Sequence, residues 1–92
     1  MLNWWRKKKT ELSMTKRRDA RKFLKAVGTR FHSLRKQHDS ELETVAKAVG
    51  ISPALLLRIE RGDYDMYLDL LFELCDYYEI TPHDFFKDLE KT

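Results

Sequence analysis

Apolar residues recur at spacings of three and four over most of the chain, the period of one face of an α-helix. Ala20, Leu24, Val27, Phe31 and Leu34 form the first such stripe and predict a helix over about residues 15–37. His38, Asp39 and Ser40 break the stripe, and Asp39 or Ser40 can cap the next helix. Leu42, Val45, Ala46 and Val49 predict that second helix over about residues 41–49, which Gly50 ends. Ile51 then leads to a third helix, about residues 53–61, with Ser52 as its cap and Gly62 as its stop. A fourth is expected over about residues 67–79, with Asp65 as its cap, and a fifth over about residues 82–91, capped by Thr81. No segment alternates with the strand period of two, so the expected fold class is all-α.

Both prolines strengthen this reading. They stand in Ser52-Pro53 and Thr81-Pro82, where the hydroxyl satisfies a free N–H and proline occupies the first helical position. The 92 residues suffice for one core without metals or disulfides. The one cysteine, Cys75, excludes an intrachain disulfide and suits a reducing, cytoplasmic compartment. No apolar run approaches the roughly 20 residues that span a bilayer, and the start has no signal-peptide pattern, so no membrane partner is expected.

The net charge of +3 conceals an asymmetry: residues 1–38 hold 13 Lys/Arg against 2 Asp/Glu, and residues 39–92 hold 5 against 13. A basic front suits a polyanion, although solvated helix faces and attraction between the halves account for it equally well. Residues 1–14 are set apart as a basic arm, expected to be flexible, ahead of a domain over residues 15–92. The arm carries Trp4-Trp5 and then Arg6, Lys7, Lys8 and Lys9. A disordered tail, a DNA-embracing arm and an interfacial anchor all fit it. Met14 is a candidate alternative start.

Two short helices joined by a glycine turn are a helix-turn-helix candidate on geometry alone. An ungapped series goes further: Val27-Gly28, Phe31, Leu34-Arg35, Val45-Ala46, Gly50-Ile51-Ser52, Leu56, Ile59-Glu60-Arg61-Gly62, Leu71, Leu74, Ile80 and Phe85-Phe86. On these residues the chain resembles the phage-repressor-like (Cro/repressor, XRE-type) helix-turn-helix family. The resemblance implies a five-helix repressor-like domain, double-stranded DNA as partner, a transcriptional role and an ion pair between Arg35 and Glu60. It also implies that DNA is read by the start of the second helix and the outer face of the third.

At those positions the chain departs from the family. Leu42 stands where a phosphate-contacting glutamine is common, and Pro53, Ala54 and Leu57 stand where hydrogen-bonding side chains usually meet base edges. At about 100° per residue, Leu56 shares the inner side of the third helix with Ile59, and Leu57 falls outside with Ala54. The candidate DNA-binding residues are therefore Pro53, Ala54, Leu57, Arg58 and Arg61, with Leu42 and Tyr64 at the flanks. This face suits thymine methyls and phosphates, and it suits a protein partner equally. Asp63 and Asp65 in the following loop would repel phosphate. The alternative function is thus a non-enzymatic interaction module that keeps the fold and binds a protein through its apolar recognition face.

Nothing points to an enzyme or a cofactor. His32, His38 and His83 share no metal-ligand spacing with Cys75, and Asp69, Glu73 and Asp76 form a solvated face without a basic partner. The fourth helix carries more apolar surface than one side requires. A homodimer is therefore expected, with Leu70, Tyr77, Phe86 or Leu89 at its seam; a central helix packed on several sides is the competing explanation.

Overall fold

The structure is a computed structural model that describes the backbone of residues 2–89 and the side chains of residues 19–89. Five helices occur in order: α1 (Leu2–Gln37), α2 (Leu42–Val49), α3 (Pro53–Glu60), α4 (Leu68–Tyr77) and α5 (Pro82–Leu89). No strand occurs among the described residues.

The start of α1 differs from the expectation. The apolar stripe begins near Ala20, yet the helix begins at Leu2 and takes in residues 2–14 of the expected arm. Periodicity detects the packed face only. The backbone bonds of a helix close within the segment, and Lys, Arg, Glu, Leu and Met, without Gly or Pro, favour that conformation.

One core lies where the helices meet. Val27, Phe31 and Leu34 of α1 close on Val45 and Ala46 of α2, Leu56 and Ile59 of α3, Leu71, Leu74 and Cys75 of α4, and Phe85 of α5. Tyr78, just past the end of α4, completes it. Phe31 stacks on Phe85 with ring centroids 4.5 Å apart and also meets Tyr78 at 6.4 Å. Burial of a side chain of this size contributes about 2–3 kcal/mol. Ala20, by contrast, is exposed, because the stripe runs past the edge of the core.

Two glycines allow the turn and the close packing that position α3. Gly50 ends α2 at φ +77°, in the left-handed region, and its N–H reaches the carbonyls of Ala46 and Lys47. Gly28 lies where α1 crosses the end of α3. A Cβ there would stand 2.4 Å from the Ile59 carbonyl oxygen and 2.7 Å from that of Glu60, which only glycine avoids.

The caps are partly as expected. The Leu55 N–H donates to Ser52 Oγ and the Asp84 N–H to Thr81 Oγ1, each at 3.1 Å. Asp39 and Ser40 do not cap α2. They end α1 instead, with Asp39 at φ +51° and the Ser40 N–H on the Arg35 carbonyl at 3.1 Å. Asp65 does not cap α4 either. The extended residue that precedes this helix is Tyr67, two positions later, and it makes no side-chain cap.

Candidate nucleic-acid interface

The inner side of α3 is fastened at three points. Leu56 and Ile59 are buried in the core, and Glu60 is the one buried charged residue among the described residues. Its carboxylate, 2% exposed, receives Arg35 Nε on Oε2 at 2.7 Å and Arg35 Nη2 on Oε1 at 3.0 Å. The pair is bidentate, a geometry in which each hydrogen bond is strengthened by charge. Arg35 also donates from Nη1 to the Ser40 carbonyl at 3.2 Å, linking the turn before α2 to the same cluster. The hydrogen bond to Glu60 holds the Arg35 guanidinium above its ordinary pKa.

Two further members of the cluster lie outside the expected pair. His32 Nδ1 lies 2.9 Å from Glu60 Oε1, and Tyr78 places a buried hydroxyl without a hydrogen-bond partner beside the same charges. Burial pushes the Tyr78 phenol well above its ordinary range, with the Glu60 charge adding to the effect. His32 precedes Arg35 by three residues, so helical spacing alone puts both on one face. That signal was available in the sequence.

With its inner side fixed, α3 turns an outer face to solvent. Pro53, Ala54, Arg58 and Arg61 are exposed there. Leu57 is half-buried but, unlike Leu55, does not pack against the core. These five therefore share one surface at the end of the Gly50 turn. Leu42 is placed differently. It opens α2, and its half-buried side chain packs against the core. What it offers outward is backbone: the first turn of α2 has no side-chain cap, which leaves N–H groups at a helix start.

Arg58 is engaged by the loop that comes after it. Its Nη2 donates to the Asp63 carbonyl at 3.0 Å, and its Nε lies 3.8 Å from the Asp63 carboxylate. The guanidinium sits over the Tyr64 ring, 5.5 Å from the centroid. Tyr64 is half-buried against the core and acts as a platform for Arg58. Arg61 makes no such contact among the described residues and lies at the α3 C-terminus. The arm residues Arg6, Lys7, Lys8 and Lys9 lie outside the residues whose side chains are described.

Among the described residues, no group of His, Cys, Asp and Glu could hold a metal ion. No helix there is long and apolar enough to cross a membrane.

Comparison with known proteins agrees with this geometry. The family model described as a helix-turn-helix domain matches residues 26–85, from the last third of α1 to the buried Phe85 of α5. Two solved structures of the clp gene regulator ClgR from Corynebacterium glutamicum are similar, each 25% identical and covering 73% of this chain. One has a TM-score of 0.70 with 71% of its own chain covered, the other 0.69 with 86%. No curated protein matches significantly. With most of its length matched, the chain belongs to the helix-turn-helix domain family.

Proposed function

We propose that this chain is a DNA-binding transcription regulator that works as a cytoplasmic homodimer, by binding rather than catalysis. One observation carries the reading. An eight-residue helix, locked from behind by Leu56, Ile59 and the Arg35–Glu60 pair, presents Pro53, Ala54, Arg58 and Arg61 to solvent. A rigid helix with one free face is what the major groove admits. The similarity to ClgR, whose structures carry the description of a gene regulator, supports the same assignment.

The side chains dictate the way in which DNA is held. Ala54 and Leu57 can meet thymine methyls but form no bidentate contact with a base edge, so they select weakly. Arg61, Arg58 once released from Asp63, the start of α2 and the basic residues of the front supply phosphate contacts. Such contacts orient a protein without reading sequence.

A second reading has its own support. Asp63 occupies Arg58, and the rest of the outer face is largely apolar, which suits a protein partner. A random duplex titrated across a salt series, monitored by fluorescence anisotropy, separates the two. Binding that weakens steeply with salt is the expected result. No binding at low salt would favour the protein-interaction reading.

A further inference from the structure

The apolar surplus of α4 lies elsewhere than the sequence pattern suggests. Leu70, Tyr77, Phe86 and Leu89 are half-buried and pack against the core, whereas Leu68 is 62% exposed and Phe23 of α1 is 39% exposed. These two flank a groove of about 470 Å³ between α1 and the start of α4. Phe86 of α5 lines it as well and meets the Phe23 ring edge-on at 6.0 Å. Apolar side chains gathered in one concavity mark an interaction surface more strongly than scattered ones do.

The charges at the rims say what fits. Arg21 lines the α1 side and Asp65 the loop before α4, and neither makes an ion pair among the described residues. A complementary partner needs an acidic edge against α1, a basic edge against the loop and an apolar ridge between them. This same surface, turned by a two-fold axis, supplies all three. In such an interface each residue meets its counterpart's partner twice. In that arrangement Arg21 would face Asp65 of the other copy in both directions, and each exposed Leu68 would enter the opposite groove.

We infer that this groove is the seat of a second copy of the chain, docked isologously through Phe23 and Leu68 with reciprocal Arg21–Asp65 pairs. The inference gives a surface to the homodimer proposed above, and it is read out without DNA. Sedimentation equilibrium of the full chain should show a concentration-dependent dimer. Leu68→Glu, a change at an exposed position, should leave helicity unchanged, match the melting temperature of the unaltered chain at concentrations where that chain is monomeric, and yield monomer throughout. Arg21→Asp and Asp65→Arg should each weaken the dimer by about tenfold, since each disturbs two equivalent pairs. The double reversal should restore most of the loss.

A chain that stays monomeric at high micromolar concentration would overturn the inference. So would a dimer indifferent to Leu68→Glu, or a double reversal no better than the single ones. A dimer that behaves as described yet binds no duplex would leave this interface standing and remove the DNA-binding reading instead.

Discussion

Arg35 and Glu60 join the first helix to the third through two parallel hydrogen bonds, 2.7 and 3.0 Å long, around a carboxylate that is 2% exposed. The pair lies directly behind the face that α3 turns to solvent, and its Arg35 also binds the Ser40 carbonyl. The orientation of the proposed recognition helix and the turn before α2 thus share one anchor.

Removing one charge from this anchor should be costly. Glu60→Gln leaves the nearly buried Arg35 guanidinium without its counter-charge, and about 3 kcal/mol of stability should be lost. In a domain of this size the melting temperature should fall by more than about 10 °C, at roughly 4–8 °C per kcal/mol. Replacing both partners, as in Arg35→Met with Glu60→Leu, should recover much of that, because no unpaired charge remains. Thermal melts of the two variants beside the unaltered chain check both statements. An unchanged melting temperature for Glu60→Gln would show that the pair contributes nothing.

Much of the fold was legible in the pattern of Val27, Phe31, Leu34, Leu56, Ile59 and Leu74, because core residues must repeat with the helix. The residues that chain ends and rims depend on were harder to read. Asp39 looks like an N-cap but adopts a left-handed conformation at the end of α1, a choice made by the Ser40–Arg35 backbone bond. Residues 2–14 of α1 carry no sustained apolar stripe and so gave periodicity nothing to detect. At the candidate site, helical angles separated Leu56 from Leu57 correctly. The contact of Asp63 with Arg58 spans a helix end, where no fixed period applies. The exposed pair Phe23 and Leu68 comes together only through tertiary packing.

Glu79 is a second strained point. It sits at φ +56°, just after α4, where the Ile80 N–H closes on the Cys75 carbonyl at 3.0 Å. A left-handed conformation disfavours any residue with a Cβ, and a carboxylate at a helix C-terminus opposes the helix dipole. Glu79→Gly should therefore stabilise the domain by about 0.5–1 kcal/mol. Urea denaturation measures this, and a lower midpoint would contradict it.

Stability should fall at alkaline pH. Burial pushes the Cys75 thiol up from 9.0 to about 11, and Tyr78 is raised for the same reason. The folded state keeps these protons at a pH where the unfolded chain loses them. Their stabilising contribution is therefore complete below about pH 9 and declines as pH rises towards the folded values. Between about pH 8 and 10.5 the Cys75 share alone is about 2 kcal/mol. Urea midpoints at the two pH values should differ accordingly, and Cys75→Ala should shrink the difference. An identical decline in that variant would assign the effect elsewhere.

Asp63 should act as a brake on DNA binding. It holds Arg58 through an exposed contact of little intrinsic strength and adds negative charge beside the proposed phosphate path. Asp63→Asn should tighten binding to any duplex by about threefold at low salt, and the gain should shrink as salt screens it. Anisotropy titrations at two ionic strengths would reveal it; weaker binding would mean that Asp63 positions Arg58 productively.

The central claim is that the outer face of α3 holds DNA mainly through phosphate contacts. It is tested most directly by measuring Arg61→Ala and Leu57→Ala against the unaltered chain on one candidate operator and one scrambled duplex across a salt series. Arg61→Ala should weaken binding to both duplexes alike and flatten the slope of log affinity against log salt by about one unit. Leu57→Ala should leave that slope unchanged. A selective loss of operator binding in Leu57→Ala, with Arg61→Ala harmless, would contradict the account, as would an unaltered chain that binds neither duplex at low salt.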